Sequence, residues 1–226
     1  MNLGDLRSPQ LVEQAARTLL AVPLGATEQH GPHLPLSTDT VIAVELCRRL
    51  AERVPDVVVA PPVPYGSSGE HAGFAGTLSI GRAMLTGLVV ELVRSADDFA
   101  GVVLVNGHGG NAEPLRDAVR TLRAEGRNVL AWSPTGRADD THAGHIETSV
   151  LLSLAHPGVD LAAAEPGVTL PLPDIIDDLR RGGLAAVSPN GVLGDPTHAN
   201  ADDGAAVLDR WTDTLVAAVT EWARRD

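Results

Sequence analysis

Gly101-Val102-Val103-Leu104-Val105-Asn106-Gly107-His108-Gly109-Gly110-Asn111 is a short apolar run that breaks into a glycine-rich turn carrying a histidine. The run is too short for a buried helix, rich in valine, and apolar at odd and even positions alike. A strand covered on both faces has that pattern. Similar runs occupy residues 18–24, 57–60 and 128–132. Between and beyond them, helical spacing appears over residues 40–54, 82–99, 113–125, 146–154 and 201–224. Residues 160–196 are richer in Pro, Gly and Asp and read as loops around a short helix near residues 175–180. The alternation predicts an α/β fold: a three-layer α/β/α domain with a mostly parallel central sheet. No repeat or linker divides the chain, so residues 1–226 read as a single domain, whose ligands should sit beyond the carboxyl ends of the strands.

Composition narrows the function. Of the 226 residues, 44% are hydrophobic and 20% charged, which is globular. A net charge of −12 argues against a nucleic-acid partner, since a polyanion would be repelled. No apolar run approaches the ~20 residues that span a bilayer, and the N-terminal residues are mixed and polar, so neither membrane nor export is expected and the reading is cytoplasmic. The single Cys47 lies in a helical pattern and reads as a small core residue, not a nucleophile.

The chemistry concentrates at the ends of the strands. After the first run comes Gly25-Ala26-Thr27-Glu28-Gln29-His30-Gly31-Pro32-His33-Leu34-Pro35-Leu36-Ser37-Thr38-Asp39. Glu28 and His30 are spaced to share one side of an extended loop, and Asp39 follows just before a helix. Carboxylate and imidazole donors at a strand end are what a hydrolytic metal site needs. The plainer alternative is a polar loop with Asp39 or Thr38 capping the helix. His108 projects from the turn after residues 101–106, at the same expected edge. That turn matches neither phosphate-binding glycine motif. A third cluster is Thr141-His142-Ala143-Gly144-His145-Ile146-Glu147. His142 is a candidate general acid/base. Glu147 is a candidate metal ligand or catalytic general base, the plainer alternative being an acid that caps the helix in whose first turn it sits, where the dipole favours it. A fourth, residues 64–77, holds Tyr65, Ser67, Ser68, Glu70, His71 and Phe74 in a flexible, glycine-rich setting that suits a substrate-facing loop. Residues 188–196 form a further turn-rich loop, read as structural or as a subunit contact.

In their order and spacing, Glu28-Gln29-His30-Gly31-Pro32-His33, Thr38-Asp39, Asn106-Gly107-His108, His142-Ala143-Gly144 with Glu147-Thr148-Ser149, and Gly194-Asp195-Pro196 resemble the creatininase (creatinine amidohydrolase) family. The resemblance implies an amide-bond hydrolase with two divalent metal ions per subunit, Fe2+ or Zn2+ with Mn2+ also suitable. It implies Glu28, His30, Asp39 and His108 as ligands, Asp39 bridging, and a homo-oligomeric assembly. One position departs from the family pattern. Creatininase has a glutamate ligand where this chain has Gly110, and Glu147 is the motif residue best placed to supply the missing acid. Residues 64–71 look like the branch of the family that cuts a modified precursor peptide, releasing a Val-Tyr-derived dipeptide. A small cyclic-amide or formamide hydrolase is the alternative within the enzymes, and a non-catalytic metal-binding scaffold the alternative outside them.

Overall fold

The computed structural model describes residues 1–224. Four strands, β1 (Leu19–Leu24), β2 (Val57–Val59), β3 (Gly101–Asn106) and β4 (Val129–Trp132), form one sheet in the order β2-β1-β3-β4, and every pairing is parallel. The helices are α1 (Thr38–Arg53), α2 (Arg82–Arg94), α3 (Ala112–Ala124), α4 (His145–Ser153), α5 (Leu172–Gly182), α6 (Leu184–Val187) and α7 (Ala201–Ala223). Among the described residues no helix is long and apolar enough to cross a membrane.

Side-chain alternation along the central strands separates two cores. Ala21, Val103 and Val105 face α1, α4 and α7, where they meet Leu46, Leu50, Val150, Leu208, Trp211 and Leu215. Leu20, Val22, Val102 and Leu104 face α2 and α3 and pack on Leu85, Val89, Leu115 and Leu122. The three-layer α/β/α arrangement follows from strands that are apolar on both faces. Cys47 is fully buried in the first core, and burial pushes its thiol well above the usual range, as an unreactive core residue requires.

Two local differences from the expected elements have physical causes. α2 stops at Arg94, because the Ser95 hydroxyl donates to the Leu92 carbonyl at 2.7 Å and closes the helix end. The short helix expected near residues 175–180 is longer, and α6 follows it after a turn at Gly183, whose φ of +72° suits glycine.

The register decides where the chemistry lies. Leu24 pairs with Asn106, so β1 and β3 end side by side and their following loops emerge as neighbours. The residue after β3, Gly107, is a further requirement. A Cβ there would stand 2.4 Å from the Asp39 carbonyl oxygen, so glycine permits α1 to start against the β3 turn.

Candidate metal centre

Glu28, His30, Asp39, His108 and Glu147 come together at the carboxyl ends of β1 and β3. His108 Nδ1 lies 3.1 Å from Glu28 Oε1 and 3.4 Å from Asp39 Oδ2. His30 Nε2 lies 3.1 Å from Asp39 Oδ1 and 3.8 Å from Glu147 Oε2. Two donor groups therefore share Asp39: Glu28 with His108 on one side, His30 with Glu147 on the other. Donors around a tetrahedral ion with bonds of ~2.0–2.1 Å stand about 3.3 Å apart, close to these separations.

The carboxylates are arranged for a cation. Both oxygens of Glu28 and Oδ2 of Asp39 are buried without a hydrogen bond. The nearby His108 nitrogen is at ion-pair distance but poorly aligned to donate. Unpaired buried carboxylate oxygens are costly, and a bound cation removes the cost. The helix-cap alternative does not account for Asp39. α1 begins at Thr38, its N-cap Ser37 makes no side-chain cap, and the Asp39 carboxylate faces His30 and His108. Capping of α4 falls to Asp140, whose Oδ2 accepts from the Ile146 amide at 3.0 Å. Glu147 Oε2 accepts from the Ala143 amide at 2.6 Å and stays turned to the centre.

The imidazoles are oriented from behind. His30 Nδ1 donates to the Glu28 carbonyl at 3.1 Å, leaving Nε2 for the centre. His108 Nε2 donates to the Ser67 carbonyl at 3.1 Å, leaving Nδ1 for the centre. Such backing is typical of ligating histidines. His142 Nε2 donates to the Gln29 carbonyl at 2.9 Å, which leaves the Nδ1 lone pair facing inward, 3.8 Å from Glu28 Oε1. Glu28, His30 and His142 make a third close donor group. Ala143, the residue after His142, has a φ of +52°, a strained turn that leads from His142 into α4, which carries Glu147.

Charge follows position. Burial opposes protonation of His30 and His108, but neighbouring carboxylates outweigh it. Asp39, Glu147 and Glu28 push His30 up to about 10. Glu28, Asp39 and Glu70 push His108 up to about 9. Burial raises the carboxyl of Glu28, yet His108, His71 and His142 together hold it well below the usual range. Burial pushes Glu147 up to about 7; His30 pulls it down and Asp39 adds to the rise. Burial and the charge of His30 hold His142 well below its ordinary value, so it is a neutral base.

The remaining sequence candidates divide. Ser67, Glu70 and His71 line a cavity of about 570 Å³ that opens from His108 and His142 towards α5 and α6. His71 Nε2 also lies 3.3 Å from Glu28 Oε1, closer to the centre than a substrate loop implies. Ser68 is buried behind His108, its hydroxyl 3.4 Å from Nε2. Tyr65 and Phe74 do not line the cavity. Val63 extends the pairing beside Leu24 and Thr27 donates to the Pro64 carbonyl, which leaves Tyr65 facing out, 46% exposed. Phe74 packs behind the cavity wall on Ile175, Leu184 and Leu193. His145 turns away to Asp203, and His33 is buried against Thr148 at 2.8 Å. The loop of residues 188–196 packs beside the site, with Leu193 paired backbone to backbone with His142 and lining the cavity.

One participant was missed. The Gln29 side-chain amide donates to the Gly191 carbonyl at 3.1 Å and to His71 Nδ1 at 3.1 Å, while its backbone carbonyl accepts from His142 Nε2. It ties these loops together around the centre. Its position between two candidate ligands in Glu28-Gln29-His30 was the only signal.

The creatininase family model, described as creatinine amidohydrolase, matches residues 4–219. The chain belongs to the creatininase family. It is 50% identical to a mycofactocin precursor peptide peptidase of Mycobacterium ulcerans, over 97% of this chain and 91% of that protein. It is 30% identical to a creatinine amidohydrolase of Pseudomonas putida, over 92% and 90%. Among solved structures, a manganese form of creatininase superposes with a TM-score of 0.82 at 28% identity, covering 97% of each chain. The family membership agrees with the resemblance seen in the motifs.

Proposed function

We propose that the protein is a metal-dependent amide hydrolase, the peptidase that releases the modified Val-Tyr-derived end of the mycofactocin precursor peptide. The observation that carries the chemistry is the pair of donor groups sharing Asp39, with buried carboxylate oxygens that accept no hydrogen bond. The substrate rests on the 50% identity to a peptidase of that name along nearly the whole chain. A cavity of about 570 Å³ suits the end of a peptide, in the range of ordinary ligand sites.

In this reading Glu28, Asp39 and His108 hold one ion, and His30, Asp39 and Glu147 the other. The donors are hard oxygens and imidazoles, which suit zinc, iron and manganese alike. Bound there, two divalent ions would polarise the amide carbonyl and bring the pKa of water towards neutrality. His142, neutral and anchored through Nε2, offers Nδ1 to take a proton from the attacking water. The same nitrogen hands that proton to the departing amine. His71 faces Glu28, and Gln29 fixes His71 and His142 relative to one another. The homo-oligomer that the resemblance implies and the cytoplasmic setting expected from the composition belong to the same reading.

The test is direct. Purified, metal-loaded protein is incubated with the enzymatically modified precursor peptide, and products are followed by mass spectrometry. The reading expects loss of the modified dipeptide from the carboxyl end and its suppression by a chelator. An intact peptide, together with turnover of creatinine, would point to the small-amide branch instead.

A further inference from the structure

One wall of the cavity has no part in the chemistry above. α5 places Leu172, Ile176 and Leu179 along it, and α6 and the following loop add Leu184 and Leu193. The α5 residues stand at i, i+4 and i+7, one face of a helix. One flank of that face is spent on a small core, where Ile175 packs with Leu184 and Leu193, Leu172 and Leu179 lean against them and Phe74 supports them. Leu172, Ile176 and Leu179 are thus only half-buried, apolar and turned to the cavity. The acids and bases of α5 at Asp174, Asp177, Asp178 and Arg181 are exposed, and charge reaches the cavity on this side only at Arg180 on its rim.

The wall is fixed close to the centre. Gly183 turns α5 into α6 where a Cβ would stand 3.1 Å from the Glu70 carbonyl oxygen, so the corner rests on the loop that carries Glu70 and His71. Leu193 donates its amide to the His142 carbonyl at 2.8 Å. The group proposed to hand a proton to the departing nitrogen is therefore paired with a residue of the apolar wall. A small polar amide would leave three half-exposed aliphatic side chains facing water, whereas a bulky apolar side chain would cover them.

We infer that the α5–α6 wall is the specificity subsite for the amine-side product, and that it seats a bulky apolar or aromatic side chain next to the scissile amide. This rests on the peptidase reading and adds to it which side of the bond is selected, by which residues.

The experiment is calorimetric binding of two dipeptides, Val-Tyr and Gly-Gly, to the metal-loaded protein, run beside the peptide-cleavage assay. The wild type should prefer Val-Tyr by about 10–100-fold, the range that apolar pocket contacts supply. Leu179→Asp should erase that preference with metal content unchanged. Leu179→Ala, the milder change, should reduce it partway, and covers the case in which the aspartate variant does not fold. Equal binding of the two dipeptides by the wild type, or full preference kept by a folded variant, would overturn the subsite. If the preference is present but the modified peptide is not cut, the subsite stands and the peptidase reading fails. If the peptide is cut without any preference, the subsite fails and the peptidase reading stands.

Discussion

Gly110 and Glu70 occupy one another's space: a Cβ on Gly110 would stand 2.2 Å from Glu70 Oε1, and 2.4 Å from His108 Nε2. The glycine, where the resemblance to creatininase implies a glutamate ligand, is thus more than a lost carboxylate. It opens the room into which Glu70 reaches, 3.6 Å from the outer nitrogen of His108. Gly110→Ala should push His108 off its Ser67 anchor and lower bound metal and turnover together. Metal analysis checks this; an alanine variant with normal metal content would show that the loop gives way without disturbing the site.

Glu147, not Glu70, is the carboxylate on the inner side. It lies 3.8 Å from His30 Nε2, while Glu70 faces the back of His108 from the cavity wall. Glu147→Gln should strip one metal of two and remove most activity. Glu70→Gln should keep both metals and act mainly on substrate binding. Metal-to-protein ratios of the two variants decide between them, and the reverse pattern would move the ligand role to Glu70.

Replacing His142 with Ala should leave metal content intact and lower turnover by roughly 10²–10⁴-fold, the usual effect of removing a general acid/base. Its Nδ1 is also near Glu28 and His30. Loss of metal from the variant would therefore recast it as a ligand.

Metal binding should release protons. In the metal-free protein His30, at about 10, and His108, at about 9, both carry a proton at pH 8 and must lose it to ligate. Glu147, at about 7, adds a further proton at lower pH. Affinity should thus rise with pH through the neutral range, with about two protons released at pH 8 on filling the whole two-ion centre, one per ion. Calorimetry in buffers of different ionisation enthalpy measures this number. A value near zero would mean that His30 and His108 are already neutral before metal arrives.

Much of this was legible in the sequence because it is local. The valine run 101–106 and its glycine turn fixed a covered strand with His108 at its end, and Glu28, His30 and Asp39 were grouped by their own spacing. What was not legible depends on distant partners. Gln29 acts through His71, His142 and Gly191, which are 42, 113 and 162 residues away in the chain. Tyr65 and Phe74 have the composition of substrate contacts, but pairing of Val63 with Leu24 and the core under α5 decide where they face. The cavity wall on α5 likewise comes from a helix set more than 60 residues beyond His108.

Anomalous diffraction from crystals of the metal-loaded protein would show whether Asp39 bridges a two-ion centre. Two peaks about 3.5–4 Å apart are predicted, with Asp39 between them, Glu28 and His108 on one and His30 and Glu147 on the other. A single peak, or a pair that leaves Asp39 unligated, would contradict the account.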